Sequence, residues 1–315
     1  MLNNVLITGG AGFIGSTLAD TLLKENCKVI CVDNFCDYYS PELKRNNIAG
    51  ALLNSNYKLY EVDIENLEEL EKIFSENKID IIVHLAARAG VRPSIEKPVE
   101  YMQTNIMGTV NILELMKKYG VKKMCMASSS SVYGNCKAEK FSEDLNVRRP
   151  ISPYAASKSA CEQICYTYHH LYDLNIVMLR YFTVFGPRQR PDLAINKFVN
   201  LIRNNQPINM YGDGSSIRDY TYIDDIVSGT ISAMKYNKTG YEIFNLGGGN
   251  PVSLVDMIST IETILGKKAM INKMPMQPGD VDRTVCDISK SMKLLNYKPE
   301  TSFYDGVKNF INWSN

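Results

Sequence analysis

The sequence predicts an α/β fold, a doubly wound parallel sheet joined to a smaller mixed α/β region, on three observations. Short apolar runs alternate with helical periodicities through the first 180 residues, glycines three apart separate the first run from the first helix, and the second run ends on an acidic residue. The first run, at 3–7, leads into Gly9, Gly12 and Gly15 and then the helical pattern of 13–25. Gly9 allows a tight turn, Gly12 lets backbone approach a pyrophosphate at the helix N-terminus, and Gly15 lets the helix pack close to the strand. The run at 28–32 closes on Asp33. A carboxylate there accepts from the hydroxyls of an adenosine ribose and repels a 2′-phosphate, which predicts NAD and not NADP. Runs at 57–61, 80–85 and 122–127 alternate with helical patterns at 41–50, 66–76 and 99–118, the rhythm of successive βαβ units. The carboxyl ends of strands in such a sheet face one crevice, which should gather Gly9, Asp33, Asp63, Ala86 and Ser128 to Ser131.

A further helix is predicted over 153–172, with Ser152 as its N-cap and Pro153 in its first turn. Tyr154 and Lys158 then share one face, four residues apart. A free phenol has a pKa of about 10, and a neighbouring ammonium and a cationic nicotinamide both favour the phenolate. The pair therefore points to a proton-transferring base, and to a catalyst more than a binding module. An apolar run at 175–181 follows, after which glycine and proline punctuation at 186–191, 212–218 and 247–251 marks a change of organisation. The expected division is a dinucleotide-binding domain over 1–180 with 222–246, and a second domain over 181–221 and 247–315.

The chain of 315 residues carries 35 basic and 34 acidic side chains, a balance that speaks against nucleic acid as a partner. Its longest apolar stretches are of strand length and interrupted by glycine, so neither a membrane span nor an export leader is expected. The eight cysteines are scattered without a Cys-x-x-Cys, and the three histidines show no ligand spacing with them. Reduced thiols, a cytoplasmic location and no metal are the expectation.

Thr8-Gly9-Gly10-Ala11-Gly12-Phe13-Ile14-Gly15, His84-Leu85-Ala86-Ala87, Asn105, the serine-rich 128–134 and Tyr154-x-x-x-Lys158, in that order, resemble the extended short-chain dehydrogenase/reductases. The likeness is close to the nucleotide-sugar 4-epimerases, and it covers essentially the whole chain. Segments 180–183, 211–214, 218–220 and 277–281 match the family's substrate-domain motifs. The resemblance implies a Rossmann-type sheet with a smaller substrate-binding domain, a retained NAD and a UDP-sugar substrate. It implies Tyr154 as base, Lys158 on the nicotinamide ribose, and Ser129 bridging Tyr154 to the sugar. Gly9, Gly12, Phe13, Ile14, Gly15, Asp33, Asn34, Asp63, Ile64, Leu85, Ala86, Ala87, Asn105 and Tyr181 would contact the cofactor, with Asp63 and Ile64 bordering the adenine. Ser129, Ser130, Thr183, Tyr211, Arg218 and Asp280 would meet the substrate, and either Arg188 or Arg190 its pyrophosphate. Family members also pair the helices near 99–118 and 153–172 into a four-helix bundle, which implies a homodimer.

Segments 33–45 and 89–92 look like those of the uronate-specific epimerases. Arg92 is then the charge that could meet a substrate carboxylate, or else an ion pair with Glu96. Thr183 stands where epimerases of UDP-glucose commonly carry asparagine. The implied reaction is interconversion of UDP-glucuronate and UDP-galacturonate through a 4-keto sugar. Epimerisation of UDP-glucose or UDP-N-acetylglucosamine, uronate decarboxylation, and a catalytically idle NAD-binding regulator remain the alternatives.

Overall fold

The computed structural model describes residues 3–236, 240–249, 251–275 and 283–314. Asp280 and the 277–281 motif lie outside the described residues. Strands β1 (Asn4–Thr8), β2 (Lys28–Val32), β3 (Tyr57–Tyr60), β4 (Ile81–His84), β5 (Lys123–Ser129) and β6 (Asn175–Tyr181) come first along the chain. They are followed by β7 (Thr183–Phe185), β8 (Ile208–Tyr211), β9 (Ile217–Tyr222), β10 (Tyr241–Leu246), β11 (Pro251–Ser253) and β12 (Ile271–Met274). Seven strands make one parallel sheet in the order β10-β6-β5-β4-β1-β2-β3, with the switch point between β1 and β4. In a sheet of this order the crevice for a ligand opens beyond the carboxyl ends at that point. The α/β, doubly wound fold expected from the sequence is the fold observed.

Burial explains why these strands were readable. Along β1, Val5 and Ile7 enter the core on one face of the sheet while Leu6 enters the core on the other, and β2, β4 and β6 repeat the alternation. A strand buried on both faces must be apolar at nearly every position. The helix Phe13–Lys24 packs on the first face, and Leu67–Glu76, Gly108–Tyr119 and Pro153–Tyr172 pack on the second.

The expected helix at 99–118 is different in detail. The chain runs through Val91–Glu96, then Pro98–Met102, then a π turn at Gln103–Met107, and only then Gly108–Tyr119. The extra residue of a π turn leaves no mark in the hydrophobic period, and such turns gather at functional sites. Here it carries the buried Asn105. The remaining strands form two small sheets, β11-β9-β7 and β12-β8.

Candidate active site

A cleft of about 450 Å³ opens at the carboxyl edge of the large sheet. Its wall includes Gly9, Gly12, Phe13, Ile14, Gly15, Asp33, Asn34, Asp63, Ile64, Leu85, Ala86 and Ala87 on one side. Ser129, Ser130, Tyr154, Lys158, Tyr181, Thr183 and Arg190 line it as well. Asn105, Arg92, Arg188, Tyr211 and Arg218 are not among the residues of that wall.

The glycine turn has the shape that a dinucleotide requires. Gly9 has φ +68°, and a Cβ there would meet the Ala86 amide nitrogen at 2.8 Å. A Cβ on Gly15 would overlap the Gly9 carbonyl oxygen. The Gly9 amide donates to the Val32 carbonyl over 2.7 Å, which folds the turn across the end of β2 beside Asp33. Asp33 accepts from the amides of Ala11 (3.1 Å) and Phe35 (2.9 Å). Burial pushes its carboxyl up, while those amides and the Lys44 ammonium pull it down. A buried carboxylate so placed gains from further donors, and ribose hydroxyls are donors of the right kind. The cradle and Asp33 together fit NAD.

The helix Pro153–Tyr172 begins as its sequence demands: Ser152 Oγ accepts from the Ala155 amide over 3.1 Å. Lys158 is buried and donates through Nζ to the Ala127 carbonyl over 2.8 Å. The ring of Tyr154 meets the edge of Tyr101, with centroids 6.2 Å apart at 79°. Ser129 Oγ caps the short turn after β5, accepting from the Ser131 amide over 3.1 Å. Asn105 clamps this assembly from behind. Its Nδ2 donates to Ser157 Oγ (2.9 Å) and to the Arg88 carbonyl (3.0 Å), and its Oδ1 accepts from the Arg88 amide (2.8 Å). It therefore holds a cleft-lining loop and does not face the cleft itself. Tyr181 is among the cleft-lining residues, and its hydroxyl is bonded inside the core to Thr230 Oγ1 at 2.9 Å.

Two buried clusters beneath the wall are absent from the sequence-based site. Glu162 and Arg180 form a bidentate ion pair, at 2.9 and 2.8 Å, with both residues buried. Ser128 Oγ donates to the same carboxylate over 2.6 Å, and Arg180 donates to Tyr133 Oη over 3.0 Å. An arginine inside the apolar run of β6 was the available signal, because a buried guanidinium demands a carboxylate. The second cluster centres on His84. Thr8 Oγ1 accepts from the Ala86 amide and Thr109 Oγ1 donates to the Asn105 carbonyl, so Thr8 donates to Nδ1 (2.6 Å) and Nε2 donates to Thr109 (3.2 Å). Burial, helped by the Lys158 ammonium, pushes the imidazole down to about 3, and it stays neutral.

The arginines divide. Arg188, at φ +68°, turns to the first helix and pairs with Asp20 at 2.7 Å. Arg190 turns into the cleft, so of the two left open by the sequence it is the one on the wall. Its Nε and Nη2 donate to the two Asp192 oxygens, each over 3.0 Å, and its guanidinium lies 5.2 Å from the centre of the Tyr38 ring. Arg92 lies over the Tyr211 ring at 5.1 Å. Arg218 Nη1 donates to the Ile217 carbonyl over 2.9 Å. Next to it Asp219, wholly buried, accepts from the amides of Gly248 (2.7 Å), Gly249 (3.2 Å) and Cys286 (3.0 Å). Arg88 and Tyr38 also line the cleft, Arg88 pairing with Glu100 at 2.9 Å; the sequence reading missed both, along with Asp192 as the partner of Arg190.

Residues 6–310 match the family described as GDP-mannose 4,6 dehydratase. The chain is 49% identical over 310 residues to a UDP-glucuronate 4-epimerase of Thermodesulfobacterium geofontis, covering 98% of this chain and 95% of that protein. Among solved structures it is similar to the UDP-glucuronic acid 4-epimerase of Bacillus cereus in complex with UDP-glucuronic acid and NAD, with a TM-score of 0.92, 40% identity and 98% of each chain covered. It is also similar to the UDP-glucose 4-epimerase of Thermotoga maritima with UDP-glucose, with a TM-score of 0.91, 33% identity, and 99% of this chain and 98% of that one covered.

Proposed function

From the premise that the chain belongs to the extended short-chain dehydrogenase/reductases, in their nucleotide-sugar branch, we propose that it interconverts UDP-glucuronate and UDP-galacturonate by NAD-dependent 4-epimerisation. The observation that carries this reading is one cleft lined by Tyr154, Lys158, Ser129 and Thr183 together with the glycine turn and Asp33. The glycine turn and Asp33 would hold NAD, which would supply hydride acceptance from sugar C4 and its return to the opposite face of the 4-keto sugar. Tyr154, through Ser129, takes the proton of the 4-hydroxyl and gives it back. Lys158 holds the nicotinamide ribose and favours the phenolate. Arg190, Tyr211 and Arg218 serve the UDP portion, while Arg188 serves the fold through Asp20.

A 4-keto uronate is a β-keto acid, which loses carbon dioxide when the breaking bond lies parallel to the carbonyl π system. The enzyme must therefore hold the carboxylate near the ketone plane. Ser129, Ser130 and Thr183 supply hydroxyls on the wall for that purpose. Arg92, stacked on Tyr211, adds long-range attraction for the anion. Thr183→Ala or Ser130→Ala is expected to shift the products toward carbon dioxide and a UDP-4-keto-pentose, read by NMR and gas release. An unchanged partition overturns this role for the hydroxyls.

The reaction itself is tested by NMR of UDP-glucuronate incubated with purified protein and no added cofactor. UDP-galacturonate without carbon dioxide supports the reading. An inert uronate beside turnover of UDP-glucose or UDP-N-acetylglucosamine replaces it with a neutral-sugar epimerase.

A homodimer and a cytoplasmic location belong to the same proposal. Val99, Met107 and Tyr166 expose apolar surface on the segments that the family pairs, 79%, 45% and 55% exposed respectively. Light scattering should give twice the chain mass, and a monomeric mass overturns the dimer. None of the eight cysteines is in a disulfide, and among the described residues no helix is long and apolar enough to cross a membrane.

A further inference from the structure

Both guanidiniums on the cleft wall are already engaged by carboxylates of this chain. Arg88 is paired with Glu100, and Arg190 with Asp192. The two pairs differ in what they could release. Asp192 sits two residues from Arg190 on the same loop, with its side chain 48% exposed against 18% for Arg190. Losing its partner would therefore return Asp192 to water at small cost, whereas the guanidinium would be left partly buried without an anion. The edge of Arg190 that Asp192 occupies, Nε with Nη2, is the fork that a phosphate takes in a bidentate contact. The guanidinium plane is steadied by the Tyr38 ring, a support that does not depend on Asp192.

We infer that Asp192 is a displaceable internal anion: it holds the binding fork of Arg190 until a phosphate of the substrate takes its place, and so sets the affinity for phosphate-bearing ligands. The inference rests on the reading of the cleft as a UDP-sugar site. With Asp192 present, an arriving anion gains only the difference between its own contact and the one it displaces. That difference favours a bidentate, multiply charged ligand over a weaker one, which makes Asp192 a specificity-determining residue.

The test is calorimetric titration of UDP into the purified protein as it carries its cofactor. Asp192→Asn keeps the shape and removes the charge. It is expected to tighten UDP binding by roughly two- to fivefold, the scale of a half-exposed ion pair. It should also steepen the fall of affinity with salt, since the site gains one positive charge. In an Arg190→Gln background the same substitution should change nothing. Unaltered or weaker UDP binding in Asp192→Asn overturns the inference, since Asp192 would then only position the guanidinium. A gain that persists without Arg190 overturns it too, because it would come from the loop. Failure of the unaltered protein to bind UDP at all is a different result: it removes the UDP-sugar reading, and this inference with it.

Discussion

Replacement of Tyr154 by phenylalanine is expected to lower kcat by roughly 10³- to 10⁴-fold, the upper range of what a positioned acid/base contributes. The substitution is informative because it removes little else. The ring of Tyr154 packs edge-on against Tyr101, a contact that phenylalanine retains. Lys158 is anchored on the Ala127 carbonyl and not on the phenol, so the cofactor side of the wall keeps its shape. Bound NAD, read by absorbance after denaturation, and UDP affinity should accordingly remain close to those of the parent. Turnover within tenfold of the parent would mean that another group moves the proton, and the assignment of Tyr154 as base would fall.

The second large effect concerns stability. Glu162→Ala leaves the Arg180 guanidinium buried with its carboxylate removed, and breaking a buried pair in this way costs about 3–5 kcal/mol. For a chain of this size the loss corresponds to a fall in Tm on the order of 10 °C. Tyr133 and the Glu143 carbonyl still accept from Arg180, but neither carries the charge of Glu162. The consequence reaches the cleft through Ser128, whose hydroxyl donates to Glu162 and which precedes the proposed Ser129 and Ser130. Converting both partners to methionine should recover much of the lost stability, because two charges then leave the interior together. Thermal unfolding of the single and double variants checks both statements. A single variant that melts like the parent would show that water reaches Arg180.

The parts of this molecule legible in the sequence are those whose physics is local. The inner strands β1, β2, β4, β5 and β6 could be read because a strand buried on both faces is apolar at nearly every step, and the helix over 153–172 because Ser152 and Pro153 announce its start. Gly9 and Gly15 were readable because each meets backbone where a side chain would stand. The illegible parts depend on partners distant in sequence. β7 and β11 have three residues each, too few for a period to emerge, and the four-residue β8 and β12 are interrupted by polar side chains, Asn209 in one and Asn272 with Lys273 in the other. Nothing local distinguishes Arg188 from Arg190; the left-handed backbone at Arg188 turns one guanidinium to Asp20 and leaves the other to the cleft. Arg92 carries the right charge, yet its partner ring, Tyr211, lies on a strand that periodicity alone could not reveal.

The path of the chain between the sheets limits how the cleft can open. It leaves the large sheet at Tyr181 and enters β7 at Thr183, with a single residue between them. It comes back from β9 directly into the helix Ile223–Lys235, and departs again between β10 and β11. Three covalent connections thus run between the strands of the large sheet and those of the small ones, and the first of them, Tyr181–Thr183, lies on the cleft wall. A body stitched in this way can flex but cannot swing apart like two halves on one hinge.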